Sequence, residues 1–378
     1  MSQIRIGIAG LGVVGAETAR HIISSQDILC RRAGKNLKII AVSARDDTKD
    51  RGFPLDDILF YTDPLKLLDH DDIDVIIELI GGEGGVALSL CQKALQAGKH
   101  VITANKAMIA HHGFFLSKLA EDNNVTLQFE AAVAGGIPAI KILREGLAGN
   151  QIETVAGILN GTCNYILSEM TSSNSAFPDV LKEAQHKGFA EADPSFDIDG
   201  VDAAHKLAIL SAIAFEQKIE FSSLSISGIR HVSDIDINYA GKLGYCLKLL
   251  GIAQRGGPAE VTMALISDDE QLALVNGALN AVSYSGAPVQ SSICIGPGAG
   301  AGPTSSAVLA DLIDISRGLA NYAYGSPVDL LSEQKLASQT SKEQCYYLRI
   351  AVTDKPGVLS QISAVLRDHG LSIASMIQ

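Results

Sequence analysis

The segment 184–206, AQHKGFAEADPSFDIDGVDAAHK, gathers five carboxylates (Glu191, Asp193, Asp197, Asp199, Asp202) in a turn-rich stretch that runs into a helix bearing one lysine, Lys206. An acidic pocket with an amine at its edge suits a small cationic substrate and a proton transfer. Asp202 and Lys206 stand at i,i+4 and share a helix face. Ala203, Leu207 and Leu210 form a neighbouring apolar stripe. The Asp202/Lys206 face therefore lies beside the core, where a lysine can be tuned for acid–base work. Two other readings compete. Ser195-x-Asp197-x-Asp199-Gly200 copies the opening of a calcium loop, but Lys206, a cation, stands where a bidentate Glu is needed. The bland alternative is a solvated acidic loop that caps the helix through Asp199.

A second cluster of chemistry-bearing residues lies in the N-terminal half. Ile4 to Ala9 reads as a buried strand, and Gly10-Leu11-Gly12-Val13-Val14-Gly15 leads from it into a helix. In this strand–turn–helix context the glycines allow a tight turn, close approach of a pyrophosphate and close helix packing. The helix N-terminus, with Val13 and Val14, offers free N–H groups to phosphates. The next strand, Leu37 to Val42, ends in Ser43-Ala44-Arg45. Arg45 suits a 2′-phosphate better than a ribose diol, so the pattern favours NADP, with NAD use possible. Strands at Asp74–Glu78, His100–Ala104 and Val125–Glu130 continue a doubly wound sheet. Thr103 and Lys106 fall at a strand's carboxyl end, which faces the ligand crevice in such sheets. Glu130 and the loop Ala131–Pro138 could hold a monovalent cation through oxygens, against a plain hinge. The glycine-rich run Gly296–Gly302 leads into another helix and returns to the cofactor.

Bulk properties narrow the class. A chain of 378 residues holds two or three domains. The net charge of −12 argues against nucleic acid or an anionic membrane as partner, and 5% aromatics leave few stacking platforms. No apolar run reaches the roughly 20 residues of a membrane span. The N-terminus enters a strand directly, and the six cysteines are scattered without a CxxC pair, as in a cytoplasmic protein.

The pattern Ala184, Gly188, Asp193-Pro194, Asp197, Gly200, Asp202, Lys206 resembles the signature of the homoserine dehydrogenases. Thr103-Ala104-Asn105-Lys106, Gly157 to Thr162 and the late glycine loop extend the likeness over about residues 1–330. The resemblance implies interconversion of L-homoserine and L-aspartate 4-semialdehyde with NAD(P), in threonine, methionine and isoleucine biosynthesis. It implies Lys206 as proton donor and Lys106 as the second active-site lysine, near the nicotinamide. Glu191 would bind the amino-acid head group, with Asp197 and Asp202 as further substrate-site acids. Gly188 and Gly300 would contact the cofactor through backbone. Glu130, Val133, Gly135 and Ile137 would form a structural sodium site, and the protein would be a homodimer or homotetramer. Another amino-aldehyde dehydrogenase, or a non-catalytic amino-acid sensor, are the alternative functions.

The expected architecture is α/β. Residues 1–135 form a Rossmann-type domain to which a helix at 303–325 returns. Residues 136–302 form a second α/β domain for substrate binding and dimerisation, and 326–344 a linker. In 345–378, Tyr346–Val352 and Leu371–Ile377 read as strands flanking a helix. Its Asp354-Lys355-Pro356-Gly357-Val358-Leu359 resembles the first half of an ACT domain, which implies a possible threonine effector. With no further strands before Gln378 the unit looks incomplete, which places that regulation in doubt.

Overall fold

A computed structural model describes residues 2–319, 321–334 and 345–377. Alternation of short Val/Ile-rich runs with amphipathic helices produces a six-stranded sheet. Its strands are β1 (Gln3–Ala9), β2 (Asn36–Ser43), β3 (Leu59–Tyr61), β4 (Val75–Glu78), β5 (His100–Thr103) and β6 (Leu127–Gln128). They are all parallel, in the order β3-β2-β1-β4-β5-β6. Helices α1 (Val13–Ser24), α2 (Gln26–Ala33), α3 (Gly85–Gln96) and α4 (Lys106–Asp122) cover it. The order reverses between β1 and β4, and this switch point opens a crevice at the strands' carboxyl ends. The last strand is shorter than its expected span, because Glu130 already starts a turn of 3-10 helix.

After a short helix, α5 (Ala139–Lys141), the chain builds a second, mixed sheet. The remaining strands are β7 (Gln151–Ile158), β8 (Gln217–Lys218), β9 (Ser225–Ile226), β10 (Tyr245–Gln254), β11 (Ala259–Ser267), β12 (Leu279–Ala287), β13 (Gln290–Pro297) and β14 (Ser332–Glu333). The sheet order is β13-β12-β7-β10-β11-β9, antiparallel except at β9, while β8 pairs with β14. Helices α6 (Gly161–Ser173), α7 (Phe177–His186), α8 (Ser195–Ile198), α9 (Val201–Phe215) and α10 (Asp234–Lys242) accompany it. Between α10 and β10 the chain turns at Gly244, whose φ of +81° ends the helix.

Helix α9 fixes the site. An apolar stripe beside the core was expected, yet every residue from Asp202 to Phe215 is buried. The cause is composition: LAILSAIAF is apolar on all sides, and such a helix needs neighbours all round. It packs on β7, β10 and β11 on one side and against α4 of the first domain on another. The helix α11 (Ala301–Arg317) returns to the first domain, where Val308, Leu309 and Leu312 join the core of Ile6, Ile8 and Val42.

The described part of the linker-like stretch, 326–334, is docked. Val328 and Leu331 are buried, and Val328 N–H donates to Glu121. Residues 335–344 lie outside the described residues. In the tail only the helix forms, α12 (Val358–Asp368), with no buried residue. The strands expected at 346–352 and 371–377 are not formed in the described residues. Tyr347 and Arg349 tie this segment to α10 through Asp236, at 2.9 and 2.7 Å.

Candidate active site

Packing of α4 against α9 brings two lysines to one carboxylate. Lys106 is the first residue of α4, which Asn105 caps by accepting from Met108 N–H. Its Nζ lies 2.6 Å from Asp202 Oδ1 and over the Phe196 ring. One turn along α9 from Asp202, Lys206 Nζ donates to Asp202 Oδ2 (2.8 Å) and to the Leu159 carbonyl (2.7 Å). Two of the ammonium's three protons are thus held, leaving one for a ligand.

Burial alone would raise the Asp202 carboxyl, but Lys206 and Lys106 outweigh it and hold it well below the usual carboxylate range. The Lys206 amine moves down from its ordinary value, first because it is buried and further because of Lys106, with Asp202 opposing. A buried amine that gives up its proton more readily is suited to acid–base work near neutral pH. Sequence reasoning placed one amine at the edge of an acidic pocket. The amine instead lies inside, with a second amine across the carboxylate.

The five carboxylates separate. Asp197 accepts from Asn160 Nδ2 at 2.8 Å and is raised by burial and by nearby Asp202. Asp199 is drawn away to Arg230 (2.9 Å to Nη2), and Asp193 accepts from Ser195 N–H. Asp199 is not the cap of α9; that position is Gly200. Glu191 is exposed, and its carboxylate makes no hydrogen bond or ion pair among the described residues. Its loop, with Gly188, is anchored over the start of α6 by Thr162 Oγ1 donating to the Phe189 carbonyl.

Asn160 was passed over in the sequence as part of a polar turn. It is buried, caps α6 by accepting from Cys163 N–H (2.7 Å), and donates to both Asp197 and Asp202 (2.8 and 2.7 Å). Its signal was its place, an N-cap residue before Gly161-Thr162-Cys163. His205, also unremarked, stacks on Phe221 and meets His111 at 3.3 Å. Burial, then His111 and Lys106, push its imidazole down to about 4.

The carboxyl ends of β1 and β4 have the form of a dinucleotide cradle. Gly10 has φ +97°, and a Cβ there would lie 2.5 Å from the Leu79 carbonyl. A Cβ on Gly15 would meet the Gly10 carbonyl at 1.9 Å, whereas one on Gly12 would face open space. No side chain caps α1, and the N–H groups of Val13 and Val14 donate to nothing among the described residues. These features fit a pyrophosphate. Thr103 is buried, and its hydroxyl is engaged, donating to Glu78 (2.6 Å) and accepting from Asn105 N–H (2.9 Å). Arg45 is exposed just past β2. Gly300 starts α11.

At the candidate cation loop, Glu130 accepts from the N–H groups of Ile140 (3.1 Å) and Lys141 (2.8 Å). Burial and then Asp311 push its carboxyl up to about 8. The Val133 and Gly135 carbonyls accept no hydrogen bond among the described residues, while that of Ile137 accepts from Ala139 N–H. Free carbonyls beside a buried carboxyl are a donor set that suits a hard monovalent cation.

Family models for the homoserine dehydrogenase NAD-binding domain, homoserine dehydrogenase and the ACT domain match residues 10–130, 138–313 and 346–378. The chain is 44% identical to homoserine dehydrogenase of Neisseria gonorrhoeae and 43% identical to that of Pseudomonas aeruginosa. Each alignment covers 100% of this chain and 88% of the relative. Among solved structures, a homoserine dehydrogenase from Thiobacillus denitrificans superposes with a TM-score of 0.91 at 41% identity, over 100% of this chain and 89% of that one. A hyperthermophilic archaeal homoserine dehydrogenase in complex with NADPH superposes with a TM-score of 0.74 at 27% identity, over 85% and 99%. With the two principal family models matching most of its length and full-length relatives above 40% identity, the chain belongs to the homoserine dehydrogenase family.

Proposed function

We propose that Lys206 is the proton donor in the NADP-dependent interconversion of L-homoserine and L-aspartate 4-semialdehyde. The carrying observation is the pair of lysines on Asp202, one of them following β5 at the carboxyl end of the sheet that also carries the Gly10–Gly15 turn. The nicotinamide, when bound, supplies the hydride to the aldehyde carbon and recovers it from the alcohol. Lys206 gives its remaining proton to the oxygen as negative charge develops there. In the reverse direction the neutral amine takes the hydroxyl proton. Lys106 adds positive charge to the same region and eases proton release from Lys206. Asp202 acts by holding both amines, since its oxygens are already engaged.

Glu191 and Asp197 are the proposed partners of the substrate ammonium; the first is exposed and the second half-buried beside Asp202. Gly10, Gly12, Val13, Val14 and Gly15 hold the pyrophosphate. Thr103, Gly188 and Gly300 add backbone contacts, and Arg45 holds the 2′-phosphate that selects NADP. Sodium sits on Val133 and Gly135, with Glu130 and Ile137 completing the loop. A homodimer or homotetramer in the cytoplasm, with threonine as effector, is the accompanying reading. No helix among the described residues is long and apolar enough to cross a membrane.

Absorbance of reduced nicotinamide, followed with homoserine and a panel of other amino alcohols, with and without threonine, tests the assignment. Homoserine alone should support rapid NADP reduction. Faster turnover of another amino alcohol would assign a different substrate, and threonine binding without turnover would favour a sensor.

A further inference from the structure

We infer that Asn280 is a positioning residue for Lys206, acting through the carbonyl of Leu159. In the register of β12 against β7, Ala281 faces Ile158, which sets Asn280 beside Leu159. Asn280 is fully buried, and its Nδ2 donates to the Leu159 carbonyl at 2.9 Å. The same oxygen receives the Lys206 ammonium at 2.7 Å. Since that oxygen can only accept, it fixes which end of the amide points at it.

The amide is also clamped. A Cβ on Gly298 would lie 2.1–2.3 Å from its atoms, and one on Gly161 would lie 3.3 Å from its Oδ1. That Oδ1 is buried and finds no partner among the described residues. A half-satisfied buried amide is costly, so its bonded end must do something an apolar residue would not. Leu159 also leads directly into Asn160, which holds Asp202. Aim of the 159 carbonyl therefore sets two of the contacts that orient Lys206.

Two donors on one oxygen weaken each other. Without Asn280, the carbonyl grips the Lys206 proton more tightly and is free to tilt. Both effects hinder proton transfer without touching the cofactor.

The inference rests on the proton-donor reading of Lys206, so Lys206→Ala is measured alongside. Asn280→Ala should lower kcat for aldehyde reduction about tenfold. The Michaelis constants should stay within about twofold. Reduction needs a protonated Lys206 and is lost as pH rises through its pKa, so that limb should move upward by roughly half a unit. Should the alanine variant fail to fold, the isosteric Asn280→Asp is read instead, above about pH 8, where an ionised carboxylate cannot donate. It should show the same loss and a larger upward shift, roughly one unit. Wild-type kcat and an unmoved limb in the variant that folds, with Lys206→Ala inactive, would overturn this inference alone. Full turnover by Lys206→Ala would overturn the reading beneath it.

Discussion

Lys106 and Lys206 come from separate domains and grip opposite oxygens of one buried carboxylate, at 2.6 and 2.8 Å. Residue 106 follows a strand of the nucleotide-binding sheet, and residue 206 lies inside the most buried helix of the other domain. The carboxylate between them carries a mechanical load and an electrostatic one.

Removing that charge should therefore affect both stability and catalysis. Asp202→Asn leaves two ammonium groups close together in a buried site, a change that costs about 3 kcal/mol or more. Urea unfolding near neutral pH measures it. With the anion gone, the Lys206 amine falls further, so the basic limb of aldehyde reduction should move to lower pH. An unmoved limb would mean Asp202 does not govern Lys206.

The His205 imidazole makes the fold acid-sensitive. Its folded value is near 4 and its ordinary value 6.5, so the unfolded chain binds more protons in that interval. Stability is complete above about pH 6.5 and is lost as pH falls toward 4, by up to about 3 kcal/mol. At about pH 5 the loss should be roughly 2 kcal/mol, and His205→Gln should abolish most of it. Denaturant titrations of both proteins at about pH 7 and pH 5 supply the comparison.

The proposed contact of Arg45 with the 2′-phosphate of NADP has its own test. The exposed position of Arg45 past β2 allows Arg45→Ala to fold normally. The variant should raise KM for NADPH about tenfold and leave KM for NADH nearly unchanged, since an arginine–phosphate contact is strong and charge-assisted. Equal losses with both cofactors would place Arg45 outside the 2′-phosphate site.

Much of this was legible in the sequence, for identifiable reasons. The Gly10–Gly15 turn declared itself because each glycine answers a local demand. Lys206 and Asp202 were readable because i,i+4 spacing is a local property. What escaped depends on tertiary contact. Nothing in the sequence places Lys106 on Asp202, since the α4–α9 packing creates that contact. Asn160 and Asn280 look like turn and strand residues until the sheet sets them beside Leu159 and Asp202. The alternative reading of Asp199 as a cap fails because the Asp199 carboxylate is held by Arg230, a residue far along the chain.

The cation loop predicts an ion-specific effect. Sodium chloride should raise the thermal midpoint by a few degrees over choline chloride at equal ionic strength, as a ligand that binds only the folded state does. The difference should vanish in Glu130→Gln. Equal midpoints in the two salts would remove sodium from the account.

The central claim is that the residue 206 amine delivers the proton. The most direct measurement is single-turnover aldehyde reduction by Lys206→Ala beside the unmodified enzyme, with NADPH affinity determined separately. The account predicts a rate reduced at least 100-fold with cofactor affinity within about twofold. A rate near that of the unmodified enzyme, at full cofactor occupancy, would contradict it.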